Sequence, residues 1–207
     1  GKDSKGLSMS RVFGLLREGR NVREMMIFQL LLGLAFAVYH SMFSVTAAER
    51  FGMRAEDLGL LHSFSGILSV LINTFVVGWV TQRFSQFVVL TSCALTLSAS
   101  MLASTQATTG THVLALVVPM SLASAIMYTV MTAALTKMVA DADTGTVIGL
   151  THASRSLCGI LSPTLGGYLY TTYGAASVGY FGGAVAALAL AYWGLISSSA
   201  PGAKKAL

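Results

Sequence analysis

Six stretches of this chain, residues 25–47, 58–80, 87–105, 113–137, 147–170 and 175–197, are nearly continuous runs of apolar side chains. About 20 such residues in a helix cross the hydrocarbon of a bilayer. In that solvent only helices and closed barrels satisfy their own backbone. The stretches are too long for barrel strands and lack their two-residue alternation. The expected fold is therefore an all-α integral membrane protein, a six-transmembrane-helix bundle. Composition agrees: of 207 residues, 54% are hydrophobic and 10% charged, with mean hydropathy +0.71, against about 25% charged in soluble domains. A soluble chain this apolar would expose patches far larger than soluble monomers carry.

Charge sits where topology needs it. Ten of the thirteen Lys and Arg residues fall in the leading segment, in the second and fourth connections (Arg83, Lys137) or in the tail (Lys204, Lys205). Only Arg50 and Arg54 lie on the other side, so both termini are expected in the cytoplasm. The net charge of +5 is thus a topology signal and not a nucleic-acid-binding one. Residues 1–24 read as a basic cytoplasmic or interfacial segment, with 10–24 an amphipathic helix or a solvated linker. Residues 25–197 form the bundle, and 198–207 a disordered cytoplasmic tail. The chain opens on Gly1 without a signal-peptide pattern, and a fragment or a trimmed front is expected. Cys93 and Cys158 read as small packing residues.

One cation remains, and it is in the wrong solvent. Arg155 lies eight residues after Val147, about 12 Å into the bilayer. An arginine there normally faces a cavity or an acid, but none of the eight Asp and Glu residues lies within a span. Arg155 therefore meets an anionic group from elsewhere, lines a wet cavity, or snorkels to the surface with His152. On a helical wheel Thr151, His152, Arg155, Gly159, Ser162, Pro163 and Gly166 share one arc, with Leu157, Ile160, Leu161 and Leu165 opposite. Pro163, flanked by Gly159, Gly166 and Gly167, makes the second half of this span able to bend and pack closely.

Weaker polar stripes run along three other spans. They are Gln29, Gly33, Phe36, His40 and Ser44 on the first; His62, Ser65, Ser69 and Asn73 on the second; and Ser121, Ser124, Tyr128 and Thr132 on the fourth. His40, His62 and Asn73 could each be an interhelical hydrogen-bond partner or part of a shared cavity. Met120, Met127, Met131 and Met138 read as packing or lipid-facing. The third and sixth spans look like scaffold. The sixth has a small-residue ridge of Gly179, Gly183 and Ala187 for helix packing, and Tyr192 and Trp193 are expected at its cytoplasmic interface. No HExxH, GxSxG, Walker loop, metal cluster or pair of intramembrane carboxylates is present, so no enzyme, metal or cofactor is expected.

Two motifs carry a family resemblance. Gly78-Trp79-Val80-Thr81-Gln82-Arg83-Phe84 is similar to the cytoplasmic G-x-x-x-D-R-x-G-R signature of the major facilitator superfamily, with Gln82 for its Asp and Ser85 and Gln86 for its later Gly and Arg. Ser162-Pro163-Thr164-Leu165-Gly166-Gly167 resembles the superfamily's G-P-x-x-G-G antiporter motif, with Ser for the first Gly. The stretches GLTHASRSLCGILSPTLGGYLY and FSVTAAERFGM further resemble its organic-cation-transporter-like solute carriers. The resemblance implies the C-terminal six-helix half of a carrier that exchanges organic cations or drugs for protons, driven by the proton gradient. It implies a missing N-terminal half and a plasma-membrane or internal-membrane location. Candidate pathway residues are Arg155, His40, Asn73, Tyr128, His152 and Ser162; hinge and packing residues are Gly159, Pro163, Gly166 and Gly167; loop residues are Gly78 and Arg83. An organic anion held by Arg155, or a non-transporting scaffold or half-size homodimer, remains open beside the cation carrier. A channel fits poorly, since no selectivity loop or ring of charge is present.

Overall fold

The computed structural model describes residues 19–199; the basic segment expected up to residue 18 and the tail expected over 200–207 lie outside the described residues. Six helices follow one another: α1 Arg20–Phe51, α2 Ala55–Arg83, α3 Gln86–Thr105, α4 Gly110–Lys137, α5 Thr144–Tyr173 and α6 Ala175–Ser199. All six expected spans are helical. α1 starts earlier than the boundary placed at residue 24, with an Arg20–Glu24 ion pair of 2.8 Å on its first turn.

The connections are short because strong local signals stop and restart the chain. α1 ends at Gly52, whose N–H donates to the Ala48 carbonyl and whose φ of 65° turns the Met53 N–H back onto the Ala47 carbonyl, a left-handed stop that a side chain would strain. α2 restarts with the Arg54 N–H donating to Asp57 Oδ2 at 2.9 Å. Ser85 Oγ accepts from the Val88 N–H to open α3. Such tight turns fold each helix back on its predecessor. The contacts confirm the directions: Phe28 meets Trp193, so α1 and α6 are antiparallel. Cys158 meets the Leu30 carbonyl and Tyr170 donates to Glu49, so α1 and α5 are parallel.

The core is densest toward the end where α1 begins. There Met25, Phe28 and Leu32 of α1, Leu90, Ala94 and Leu97 of α3, Val130, Met131 and Leu135 of α4, and Ala186, Ala189 and Trp193 of α6 form one buried cluster. Trp193 is not an interfacial anchor: it is 3% exposed and stacked between Phe28 (4.7 Å between centroids) and Phe87 (5.8 Å). The bundle buries its flat ring because facing rings are available on α1 and α3. Met120, Met127 and Met131 are buried and pack, as their stripe suggested. Both cysteines are buried and free.

α3 and α6 are scaffold in a literal sense. A Cβ on Gly179 would stand 2.6 Å from Thr105 Cγ2 and 2.9 Å from the Met101 carbonyl oxygen, and one on Gly183 would stand 2.5 Å from Leu102. The absent side chains let the two backbones approach closely. Ser98 Oγ then donates across the seam to the Gly183 carbonyl at 3.1 Å.

Two irregularities lie on the other helices. Residues Ile72–Val76 of α2 form a π-helical turn, a device frequent at functional sites. Asn73 Nδ2 and Thr74 Oγ1 donate to the carbonyls of Ser69 and Val70, four residues back, each at 2.8 Å. Among the described residues five helices are long and apolar enough to cross a membrane; α5 is not one of them. At 30 residues it has the length, but Thr151, His152, Ser154, Arg155 and Ser156 dilute its apolar character. That polarity belongs to a helix that faces something other than lipid.

Candidate functional site

The sequence stripes meet. α1 contributes Phe36, Tyr39, His40 and Phe43 to a cleft of about 320 Å³, and α2 contributes Leu61, His62, Ser65, Gly66 and Ser69. α4 adds Val117, Met120, Ser121 and Ser124, and α5 adds Arg155 alone. None of these lining residues is acidic. The imidazoles of His40 and His62 face each other with centroids 5.7 Å apart, flanked by Phe36 and Phe43. The Arg155 guanidinium carbon sits 4.8 Å from the centroid of the Tyr128 ring. A cation over an aromatic face gains about 0.5–1 kcal/mol when exposed and about 2 when desolvated. That contact aims the charge at the cleft without neutralising it. A second cavity, about 30 Å³ beside Tyr39, Arg50 and Gly179, has room for little more than a water.

The candidate residues divide by this geometry. His40 and Arg155 line the cleft, and Tyr128 backs Arg155. Asn73 sits one turn beyond Ser69 and is an interhelical partner, its Oδ1 accepting from Thr129 Oγ1 at 2.6 Å. His152 is exposed on α5 and outside the cleft lining, being roughly 60° round the helix from Arg155. Ser162 is the clearest correction. It shares a face with Arg155, yet it is 3% exposed, because two turns on α5 closes onto α1 and the cleft ends. Gly166 permits that closure: a Cβ there would stand 2.8 Å from Met42 Cγ and 3.0 Å from Ser41 Oγ. Gly159 and Gly167 face open space. Gly78 is likewise open, and Arg83 covers the Trp79 ring at 5.6 Å, so the loop's arginine is held by an aromatic face. His62 was legible as a stripe member with Ser65 and Ser69, all three of which reach the cleft. Tyr39, three residues after Phe36 and four before Phe43, also lines the cleft but was not among the expected stripe residues.

Residues 25–207 match the family model of the Major Facilitator Superfamily. The chain belongs to that superfamily. It is similar to solute carrier family 22 member 18 of Mus musculus, with 30% identity over 159 residues, which is 77% of this chain and 39% of that protein. The Rattus norvegicus protein of the same name matches equally. Solute carrier family 67 member A1 of Homo sapiens is 31% identical over 149 residues, 72% of this chain and 35% of that protein. The match thus spans about two fifths of the length of these curated relatives. Major facilitator membership makes the chain a multi-pass membrane protein of a transporter family and not an enzyme, as its motifs implied.

Within this superfamily chain the Ser162-Pro163 pair has a physical role of its own. Pro163 cannot donate to the Gly159 carbonyl four residues back. Ser162 Oγ donates to that carbonyl instead, at 3.2 Å, which keeps α5 continuous through the proline. Ser162→Ala is expected to cost about 1 kcal/mol by stranding the carbonyl, and far less when combined with Pro163→Ala. A thermal-unfolding double-mutant cycle in detergent measures the coupling, and additive losses would show that the hydroxyl does not serve the proline.

Proposed function

We propose that this chain is one six-helix half of a secondary active transporter that moves a small organic ion by alternating access, with the cleft as its share of the path. The observation that carries this is convergence: polar stripes on α1, α2 and α4 and the arginine of α5 meet in one cleft. Secondary transporters of this architecture bind solute near the midplane between two halves. α2 and α5 border the cleft and expose Leu60, Ile67, Phe75 and Ile160, each at least 64% accessible, which suits lipid and an N-terminal six-helix half. The Lys and Arg distribution supports a cytoplasmic side for both termini, and the resemblance favours the plasma membrane or an internal one.

Exchange of an organic cation or drug for protons is the activity the resemblance implies. Because the cleft wall has no acid, that reading requires a carboxylate from the other half, paired with Arg155 and released when it takes a proton. Reconstitution of the full-length protein tests the transporter itself. Proteoliposomes should show saturable uptake of a small organic ion, several-fold above protein-free vesicles and dependent on an imposed pH gradient. Well-folded protein that moves no organic ion of either sign would favour the scaffold reading.

A further inference from the structure

We infer that the cleft is a binding site for an aromatic carboxylate, and that the anion enters together with a proton taken by the His40–His62 pair. The inference rests on the transporter reading for its physiological meaning, but its binding arm stands alone.

Charge is the first argument. The charged or titratable groups on the cleft wall are Arg155, His40, His62 and Tyr39, with no acid among the lining residues. A substrate ammonium lodged there would lie within a few ångströms of a guanidinium. Arg155 is exposed, so water screens that repulsion, which still amounts to about tenfold in affinity. An anion gains what the cation loses.

Donor geometry is the second. A guanidinium presents five N–H groups in a planar fork that matches a carboxylate. The Arg155 guanidinium carbon lies 4.8 Å from the centroid of the Tyr128 ring, a contact that forms no oxygen-accepted hydrogen bond with its N–H donors. Among the described residues no hydrogen bond or ion pair takes them. Arg155 is exposed, so its fork is open to a solute entering the cleft.

Shape is the third. Phe36, Phe43, Leu61 and Met120 give apolar walls around the polar end. A cavity of about 150 Å³ already admits benzene, so about 320 Å³ accommodates one or two fused rings.

The histidine pair adds the proton. The titratable or charged groups that line the cleft with the pair are Arg155 from α5 and the neighbouring Tyr39 of α1; Tyr128 of α4 stands against Arg155. In the empty cleft a proton on either imidazole meets the Arg155 charge and the second ring. A bound carboxylate reverses that field, so anion and proton strengthen each other's binding, and linkage makes the effect reciprocal. The expected stoichiometry is cotransport of anion and proton, opposite in sense to cation exchange.

Matched probes test this: 1-naphthoate and 1-naphthylmethylamine share a ring system, differ in sign, and keep their charges between about pH 6 and about pH 8, on either side of the ordinary imidazole value. Equilibrium dialysis with purified full-length protein should show naphthoate binding at least about tenfold tighter than the amine, and tighter at the lower pH. Arg155→Gln should weaken naphthoate roughly tenfold or more at both pH values, with Arg155→Lys intermediate. In the His40→Asn, His62→Asn double variant the ratio of naphthoate affinity at the lower pH to that at the higher pH should fall to about one, whatever the affinity itself becomes. Size-exclusion profiles confirm that each variant is folded. Tighter binding of the amine, absence of naphthoate binding, or indifference to Arg155→Gln overturns the site, and an unaltered pH profile in the double variant overturns the proton step. Naphthoate binding without vesicle uptake would instead fault the transporter reading; amine uptake without naphthoate binding would fault this one.

Discussion

Gly179→Val is expected to remove most folded protein from a detergent extract. The position lies on the close α3–α6 seam, and the added Cβ would stand 2.9 Å from a backbone carbonyl, that of Met101, and 2.6 Å from Thr105 Cγ2. Neither obstacle can swing aside easily. Thr105 is buried, with its hydroxyl bonded to the Leu102 carbonyl at 2.7 Å, and the carbonyl moves only if α3 moves. Over-packing typically costs about 1–3 kcal/mol and more when backbones must separate. Here separation would also break the Ser98–Gly183 hydrogen bond. Gly179→Ala should be milder but still destabilising, whereas Gly78→Ala, which meets nothing within 4 Å, should be close to neutral. Fluorescence-detected size exclusion and thermal midpoints rank the three. Wild-type stability for Gly179→Val would mean that the α3–α6 approach is looser than the geometry shows.

Trp193→Ala should be the other large loss. Truncation leaves a cavity between Phe28 and Phe87, where the indole is stacked on both sides. In soluble cores such a change costs about 3–5 kcal/mol, combining lost transfer energy with lost packing. Within a bilayer the transfer part shrinks because lipid tails are as apolar as the core. The packing part remains, so a loss on the order of 2–3 kcal/mol is expected. Trp193→Phe should recover most of it, because a ring still fills the slot. Trp193 is 3% exposed and Trp79 is 56% exposed, which supplies a reporter: in a Trp79→Phe background, emission should be blue-shifted and shielded from aqueous quencher. Full quenching of that signal would contradict the buried stack.

How far the sequence reached can be argued residue by residue. The polar stripes on α1, α2 and α4 were visible as i, i+3, i+4 spacings, and they are the walls of the cleft, because helical periodicity decides which side chains share a face. His62 was visible only as one stripe member among others. The scaffold character of α6 was legible in part: Gly179 and Gly183, four apart, pack against α3, but Ala187, the third residue of the expected ridge, is exposed while Gly182 and Ala186 are buried. Ser162 was misplaced because it shares Arg155's face, and a helical wheel carries no information about where along that face a neighbouring helix closes in. Trp193 was misplaced for a related reason: near a helix end an amphipathic ring suits the membrane interface equally well, and only the presence of Phe28 and Phe87 made burial better.

The chain's own residues determined that it is helical and membrane-embedded, because a bilayer offers backbone groups no other partner, and they marked Arg155 as the group that hydrocarbon alone would not tolerate. The assembled bundle decided what surrounds that charge: an aromatic face behind it, two imidazoles on the opposing helices, and no carboxylate on the wall. Periodicity acts within one helix, whereas the sign and shape of a cleft are set by side chains far apart in the chain that only packing brings together.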